Sequence, residues 1–333
     1  MKSVIGMGNA LTDILINLKT DEVLERFSLP RGSMNLVDSD RQRRIGEYVA
    51  GMPRTLSLGG SASNTIRAMA RMGVRTGYVG KVGRDTTGDF FEQALVNLGI
   101  EPHILRGNER SGRCVSLVSA DGERTMCTFL GAALEMRGDE LNESLFDGYD
   151  CLYVEGYLVQ SHDLILQAAR TAKECGLKVA IDLASFNIVA ENLTFLRDLV
   201  REYVDIVFAN EDEAKTFACE AEPLNALQAI SELAELAVVK IGTKGALIKR
   251  GDEVVHVGIM AAARRVDTTG AGDFYAAGFL AGLCEGLSLR QCGTIGAITA
   301  GKVIEVVGTT FGEDAWKDIY RLVSKVKHEK YLF

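Results

Sequence analysis

The chain has 333 residues, of which 47% are hydrophobic and 25% are charged, with 35 Gly but only 4 Pro. These proportions are ordinary for a globular protein, and the length fits one large α/β domain with a small appendage as well as two equal domains. The formal net charge of −8 argues against a protein that coats nucleic acid, which needs a basic face to displace counterions. No stretch approaches the roughly 20 apolar residues of a membrane span. We therefore expect neither nucleic acid nor a membrane among its partners.

The seven cysteines are scattered without a Cys-x-x-Cys pair, and the four histidines are far apart in the sequence. This usage favours reduced thiols and gives no support to a zinc site. The apolar start of the chain is interrupted by Asn9 and Asp13, and no cleavage-type small-residue site follows it, unlike a signal peptide. We expect a cytoplasmic protein.

In the first two-thirds of the chain, short β-branched runs alternate with amphipathic stretches. The predicted strands are 3–7, 149–155, 177–181 and 205–209, and the predicted helices are 164–175, 193–202 and 224–236. This alternation predicts a mostly parallel central sheet with helices on its faces, a three-layer α/β/α sandwich.

The later chain follows a different pattern. Short strands at 237–241, 246–250 and 253–259, separated by glycine-containing turns, predict a C-terminal antiparallel meander, and helices are predicted over 274–284, 289–303 and 314–328.

Two earlier segments, 14–38 and 113–130, do not fit the main sheet. The second contains alternating apolar residues around Asp121-Gly122, which predicts a hairpin. We expect the two segments to form a small β lid over the carboxyl ends of the main strands, where ligands bind in open α/β sheets.

The run from Asp267 to Asp273 carries the strongest chemical signal. A strand-like segment precedes it and an apolar, small-residue helix follows, so Gly270, Ala271 and Gly272 are predicted at a helix start, where free N–H groups and the macrodipole attract an anion. Asp273 could then accept the proton of a substrate hydroxyl while these amides neutralise a transferred phosphoryl group. A glycine turn capped by an aspartate is the alternative.

The same run, Asp-Thr-Thr-Gly-Ala-Gly-Asp, resembles the C-terminal signature of the ribokinase family, also called the PfkB carbohydrate kinases. The family includes ribokinase, adenosine kinase and fructokinase. The resemblance implies a single ribokinase-like domain over 1–333 that uses ATP and Mg²⁺ to phosphorylate a hydroxymethyl group of a small sugar or nucleoside. It also implies that Asp273 is the catalytic base and that Gly270, Ala271 and Gly272 form the anion hole.

Two N-terminal motifs resemble the substrate-binding motifs of this family. In the Leu58–Asn64 stretch, Gly59 and Gly60 would let a sugar approach the backbone, and Asn64 would hydrogen-bond its hydroxyls. In the motif that follows the first strand, Asp13 would grip substrate hydroxyls. A strand–helix junction at the glycine pair and a cap or turn role for Asp13 are the alternatives.

Two further motifs resemble the family's motifs for binding the nucleotide and the metal ion. Asn210 and Glu213 match the Asn-x-x-Glu motif that orders Mg²⁺ through water, although Asn followed by acids is also ordinary helix initiation. Lys240, Thr243 and Gly245 match the strand and turn that line the nucleotide site, and a plain hairpin is the alternative.

The residues alone leave open the cation site, the role of Tyr157, the acceptor and the oligomeric state. Asp267 and Thr269 match positions that line a monovalent-cation site, such as one for K⁺. Tyr157 lies where adenosine kinases place an aromatic ring against the purine, or is a lid or core residue. The chain looks closest to adenosine-kinase-like bacterial members, but a free sugar stays open beside a purine nucleoside, as does a monomer beside a lid-mediated homodimer.

Two other classes of protein fit the residues less well. A catalytically inactive nucleotide or sugar sensor on the same fold is disfavoured by the intact Asp273 and anion-hole residues. A dinucleotide-dependent oxidoreductase is disfavoured because Gly6-Met7-Gly8 lacks the third Gly of the fingerprint, position 11 being Leu.

Overall fold

Two β-sheets organise the chain in the computed structural model, which describes residues 1–120, 122–262 and 264–328. The strands are β1 (Ser3–Met7), β2 (Leu11–Asn17), β3 (Met34–Leu36), β4 (Arg54–Gly59), β5 (Arg75–Val82), β6 (Glu101–Arg106), β7 (Gly112–Val118), β8 (Arg124–Phe129), β9 (Cys151–Glu155), β10 (Lys178–Asp182), β11 (Ile206–Asn210), β12 (Leu236–Lys240), β13 (Ala246–Arg250) and β14 (Glu253–Val257).

The helices lie between and after these strands. They are α1 (Glu22–Arg26), α2 (Ser39–Tyr48), α3 (Ser61–Arg71), α4 (Thr86–Asn97), α5 (His162–Glu174), α6 (Phe186–Glu191), α7 (Leu193–Tyr203), α8 (Glu211–Ala218), α9 (Pro223–Ser231), α10 (Ala271–Cys284), α11 (Leu289–Val303) and α12 (Glu313–Lys327). Among the described helices, none is long and apolar enough to cross a membrane.

The large sheet has the order β14-β13-β12-β11-β10-β9-β1-β5-β6. Within this sheet, all neighbouring strands between β12 and β6 pair in parallel. Strands β13 and β14 extend the β12 edge with antiparallel pairings. The predicted parallel sheet and C-terminal meander are therefore confirmed. Because the strands are parallel, the carboxyl ends of β1, β9, β10, β11 and β12 meet at one edge.

Separate hydrophobic cores cover the two faces of the large sheet. On one face, α3, α4, α10, α11 and α12 supply residues such as Ile66, Phe91 and Phe279. On the other, α5 to α9 supply residues such as Leu164 and Phe217. The sheet is buried on both sides, as its near-continuous Val and Ile content requires, and the three-layer architecture is confirmed.

The small sheet has the order β3-β8-β7-β2-β4. A third core covers one of its faces, where α1 and α2 pack on residues such as Ile16 and Val115. Both expected lid segments, 14–38 and 113–130, contribute strands, and the sheet also takes β4, with α2 packed against it. Asp121, expected in the hairpin turn, lies outside the described residues.

The segment before Asp267 differs from the sequence-based expectation of a strand. The described residues of 258–269 form no strand, because β14 has already ended the sheet and no strand edge adjoins them. Instead, the N–H of Val266 donates to the carbonyl of Ile304 at 2.8 Å, and Met260 packs over Gly301 of α11.

Candidate active site

A cavity of about 650 Å³ lies between the carboxyl ends of the large-sheet strands and the small sheet. This volume suits a small-molecule ligand. Alternate side chains of β2, β7 and β8 line it from the small sheet, on the face opposite the third core: Leu11, Asp13, Cys114, Arg124, Met126 and Thr128. The large sheet contributes residues from the ends of β10, β11 and β12 and from the start of α10.

Asp273 lies in the first turn of α10, at the floor of the cavity. Its Oδ1 accepts a hydrogen bond from Ser61 Oγ at 2.7 Å, and its Oδ2 accepts one from Asn64 Nδ2 at 2.9 Å. Burial raises the pKa of Asp273 to about 6, although the Ser61 and Asn64 hydrogen bonds oppose the rise. The carboxylate is therefore ionised near neutral pH and held in one orientation.

The start of α10 carries unpartnered backbone donors. Gly270 is the N-cap in a left-handed conformation (φ 76°), and no side chain caps the helix. Within the described residues, no acceptor receives the amides of Gly272 and Asp273. Free amides at a helix N-terminus form an anion-binding site. The three expected anion-hole residues lie together beside Asp273, and among them the amide of Ala271 already donates to the carbonyl of Thr268 at 3.2 Å, which leaves the amide of Gly272 free.

Lys240, at the end of β12, places its ammonium next to this helix start. A Cβ atom added to Gly272 would lie 3.1 Å from Lys240 Nζ. The ammonium also donates to Asp182 Oδ2 at 2.7 Å, at the end of β10. A cation beside free amides strengthens the attraction for a phosphate.

Asp13 lies on β2 and faces the cavity from the small-sheet side. Its carboxylate lies over Gly59, where any added Cβ would collide with it. Among the described residues, no donor bonds to this carboxylate. Burial raises the pKa of Asp13 to about 6, with Arg67 and Arg124 acting in the opposite direction. A carboxylate without a partner inside a cavity is suited to accept ligand hydroxyls.

The glycine pair is required by packing as well as by any ligand. Gly60 has φ 91°, and a Cβ there would collide with the carbonyl oxygen of Asn9. This close approach turns the chain from β4 directly into α3, so that Ser61 and Asn64 reach Asp273. Tyr157 also lines the cavity and is 36% exposed.

Glu155, at the end of β9, is a buried acid close to the site that the sequence did not single out. Its carboxylate accepts from the amide of Asn9 at 2.9 Å, from Asn9 Nδ2 at 2.6 Å and from the amide of Ala62 at 2.9 Å. Burial raises the pKa of Glu155 to about 7, against these hydrogen bonds. Glu155 joins the end of β1 to the start of α3. The only available signal was an acid that ends a buried apolar strand.

Asn210 and Glu213 form a capping box at the start of α8. Asn210 Oδ1 accepts from the amide of Glu213 at 2.9 Å, and the Glu213 carboxylate accepts from the amide of Asn210 at 2.7 Å and from its Nδ2 at 2.5 Å. Burial raises the pKa of Glu213 to about 7, and the nearby charge of Asp182 adds to the rise. The helix-initiation alternative is therefore realised, and the same pair lines the cavity.

The remaining cavity wall is a slot between the β12–β13 turn and α11. Thr243 and Gly245 lie on the turn side. Small and apolar residues form the facing side: Met260, Ala297, Ala300, Gly301 and Ile304. A narrow apolar slot next to an anion-binding helix start suits a flat heterocycle that carries phosphates.

Asp267 and Thr269 lie together around an arginine from the small sheet. Arg124 Nη1 forms an ion pair with the Asp267 carboxylate and donates to Thr269 Oγ1 at 3.2 Å. The amide of Gly308 also donates to Asp267, at 2.8 Å. Burial raises the pKa of Asp267, but the hydrogen bonds from Gly308 and Thr269 outweigh it, and the pKa falls below its ordinary value.

An acid beside free helix amides suits the transfer of an anionic group to a hydroxyl, which is the chemistry of phosphotransferases. A family model described as pfkB family carbohydrate kinase matches residues 32–316, and the chain belongs to this family. The resemblance read from the sequence motifs is thereby confirmed.

The relatives are kinases of nucleosides and sugars. The crystal structure of adenosine kinase from Sinorhizobium meliloti superposes with a TM-score of 0.84 at 34% identity, covering 96% of this chain and 99% of that one. Adenosine kinase of Saccharomyces cerevisiae is 28% identical over 92% of this chain and 96% of its own length. A nucleoside kinase of Methanocaldococcus jannaschii is 27% identical over 98% of both. The chain is a sugar or nucleoside kinase that acts on an alcohol group.

Proposed function

We propose that the chain transfers the γ-phosphoryl group of ATP to the hydroxymethyl group of a purine nucleoside. The observation that carries this proposal is the placement of Asp273. It lies at an uncapped helix start, between the Asp13 end of the cavity and the apolar slot lined by Thr243 and Gly245. A hydroxyl at Asp273 and a phosphate at the helix amides would be neighbours, which supports direct transfer between them.

Asp273 acts as general base in this proposal. It takes the proton of the substrate hydroxyl while that oxygen forms a bond to the γ-phosphorus and the bond from phosphorus to the ADP oxygen breaks. The amides of Gly270, Ala271 and Gly272 hold the transferring group, and Lys240 neutralises part of its charge. Catalysis of this kind is mainly positioning and electrostatic stabilisation.

Asp13, Gly59, Gly60 and Asn64 bind the sugar of the acceptor. The Asp13 carboxylate accepts from two ribose hydroxyls, and the Gly60 backbone, which lines the cavity beside the buried Gly59, lets the ring approach closely. Asn64, which donates to Asp273, places the hydroxymethyl group against the base.

Apolar side chains in the cavity wall support a nucleoside over a free sugar as the acceptor. Tyr157 from the 3-10 turn after β9, together with Leu11 and Met126 from the small sheet, presents apolar surface that a free pentose or hexose would leave uncovered. A purine ring buried against such side chains gains hydrophobic and stacking energy. The 34% identity to an adenosine kinase points the same way.

Asn210, Thr243 and Gly245 bind the nucleotide. Carboxylate oxygens at Glu213, with Asp182 close by, fit Mg²⁺, which prefers oxygen ligands and keeps several of its waters. Glu213 would hold the ion through water, and the ion would neutralise phosphate charge. Asp267 and Thr269 offer oxygens to a monovalent cation such as K⁺, at the position where Arg124 now bonds.

The small sheet acts as a lid in this proposal, and the protein acts as a monomer. Closure of the sheet over the acceptor excludes water, which would otherwise take the phosphoryl group. The sheet face that points away from the cavity is already covered by α1 and α2, which supports a monomer over lid-to-lid pairing. ATP use and free thiols favour the cytoplasm.

An ATP-consumption panel tests the proposal. The purified chain is assayed with adenosine, inosine, guanosine, ribose, fructose and sugar acids, with the Asp273→Asn variant as control. We expect turnover with a purine nucleoside and its loss in the variant. Turnover with free sugars alone would replace the nucleoside by a sugar. No turnover on any acceptor would favour the non-catalytic sensor.

A further inference from the structure

Arg67 is a buried cation that the proposed mechanism does not use. It lies on α3, one turn after Asn64, and is 9% exposed. Its guanidinium donates to Asn64 Oδ1 at 2.5 Å and to Thr309 Oγ1 at 2.9 Å, and more weakly to Thr310 Oγ1 at 3.5 Å. No carboxylate of the described chain lies within 4.0 Å of it. An unpaired buried charge is costly, so it needs a compensating role.

The contact with Asn64 decides how the Asn64 amide is oriented. The amide oxygen receives two donors, Arg67 and Thr309, the latter at 3.0 Å. The amide nitrogen is thereby turned toward Asp273 Oδ2 at 2.9 Å. Without donors on the oxygen side, a primary amide can rotate and present its oxygen to the carboxylate, which would be repulsive.

The charge of Arg67 acts on both ends of the acceptor subsite. Burial lowers the pKa of Arg67 to about 10, and the negative charges of Asp13 and Asp273 oppose that fall. The attraction is mutual, so the guanidinium favours the ionised forms of both carboxyls. It touches neither of them and does not line the cavity.

Other charged groups also face these two carboxyls, but the cations among them are already paired. Near Asp273 lie Asp182 and Glu155, with Lys240, which is bonded to Asp182. Near Asp13 lie the Cys114 thiol and the guanidinium of Arg124, which is bonded to Asp267. Of these three cations in the described residues, Arg67 alone has no carboxylate contact.

We propose that Arg67 is a positioning residue for phosphoryl transfer, which fixes the Asn64 amide as a donor to Asp273 and holds Asp13 and Asp273 as carboxylates when the cavity closes. This inference rests on the proposed role of Asp273 as base. When substrate displaces water, the carboxylates lose solvation, and a fixed buried charge retains its effect.

Two substitutions separate orientation from charge. Arg67→Met keeps the length of the side chain and removes its charge and donors, whereas Arg67→Lys keeps the charge with fewer donors. The matched control is Arg71→Met on the next turn of α3, where Arg71 bonds to Glu313 at 2.6 Å and lies over Trp316, outside the cavity. Each variant is assayed for kcat and kcat/KM from pH 5 to 9, and its melting temperature is measured.

We expect Arg67→Met to lower kcat/KM at pH 7 by about 10- to 100-fold and to move the acid limb of the profile up by about one pH unit. Arg67→Lys should lower kcat several-fold and leave the acid limb in place. Arg71→Met should change the melting temperature only. A wild-type acid limb in Arg67→Met, with loss of stability alone, would reduce Arg67 to a structural residue and overturn the proposal.

Two further measurements test the proposal if Arg67→Met does not fold or if the wild type is inactive. If Arg67→Met does not fold, Thr309→Val removes one of the two donors to Asn64; an unchanged kcat there, together with a shifted acid limb in Arg67→Lys, contradicts the proposal. If the wild type phosphorylates no acceptor, the proposed function fails on its own. Titration of ¹³C-labelled aspartate carboxyls in wild type and Arg67→Met, assigned with Asp273→Asn and Asp13→Asn, then still tests whether Arg67 sets their ionisation, and identical titrations would contradict the proposal.

Discussion

The two sides of the cavity differ in how firmly they hold their charged groups. On the large-sheet side, Asp273 receives two side-chain hydrogen bonds, Lys240 is paired with Asp182, and Glu213 is locked into its helix cap. On the small-sheet side, the Asp13 carboxylate has no hydrogen bond within the described chain. The groups proposed for chemistry are therefore already held by hydrogen bonds before a ligand binds. The carboxylate proposed to bind the acceptor, Asp13, has no hydrogen-bond partner in the described chain until the acceptor supplies one.

This difference follows from what each task requires. Stabilising a developing charge is most effective when the dipoles and charges are already in place, because nothing must reorganise during the reaction. Capturing a substrate requires an element that can open and close, and such elements make fewer contacts. If the two sides divide chemistry and capture in this way, substitutions on each side should change different kinetic constants.

Asp273→Asn should give the largest effect. The amide keeps the shape and cannot take the proton, so we expect kcat to fall by about 10²–10⁴-fold with a modest change in the acceptor KM. Steady-state kinetics with saturating ATP measures both constants. The control is Asp198→Asn, a surface carboxylate that pairs with Arg201 at 2.8 Å. Equal kcat values in wild type and Asp273→Asn would remove Asp273 from the role of base.

Asp13→Asn should show the opposite pattern. Two charge-assisted hydrogen bonds to the acceptor are weakened, so the acceptor KM should rise by about 10- to 100-fold while kcat changes less. The ATP KM serves as an internal control and should stay close to that of the wild type. A drop confined to kcat would mean that the small sheet takes part in chemistry and not only in capture of the acceptor.

The sequence predicts the parts of this arrangement that are encoded locally. A glycine-rich run before an apolar helix is enough to place Asp273 at a helix start, and alternating strands and helices are enough for the sheet. The role of Asp13 came from the family resemblance, since an isolated Asp after a strand indicates little.

The partners across the cavity could not be predicted in the same way. Ser61 and Asp273 are 212 positions apart, Arg124 and Asp267 are 143 apart, and Asn9 and Glu155 are 146 apart. Such contacts depend on how elements distant in sequence pack against one another, which no local pattern encodes. Strand β4 at the edge of the small sheet was missed for a related reason, because Arg54–Gly59 is mostly exposed and its apolar alternation is short.

The pH profile should be the next most sensitive test. Because burial raises the pKa values of Asp273 and Asp13 to about 6, both carboxyls become protonated, and inactive, as the pH falls through that value. We expect log kcat/KM to be flat above about pH 7 and to fall below pH 6 with a slope that approaches two, and kcat to fall with a slope near one. In Asp13→Asn the slope for kcat/KM should drop to one. An unchanged slope in that variant would show that a different group titrates.

The smallest expected effect concerns Arg124, which ties the small sheet to the segment before α10. Arg124→Gln removes the ion pair with Asp267 and the bond to Thr269, and we expect the acceptor KM to rise by about threefold to fivefold, the scale of the net contribution of one hydrogen bond. The neighbouring Arg113→Gln, whose partner is Asp85 at 3.6 Å, is the control and should leave the acceptor KM unchanged.

The same variant also tests the cation proposal, because the Asp267 carboxylate then lacks its guanidinium. If K⁺ binds at Asp267 and Thr269, the ratio of activity in K⁺ to activity in tetramethylammonium should be larger for Arg124→Gln than for the wild type. The reason is that arginine and K⁺ would compete for the same oxygens, so removal of the arginine leaves a carboxylate that only the small cation can reach. An identical ratio in both proteins would place any cation effect elsewhere, and Arg124 would then serve only to hold the small sheet over the cavity.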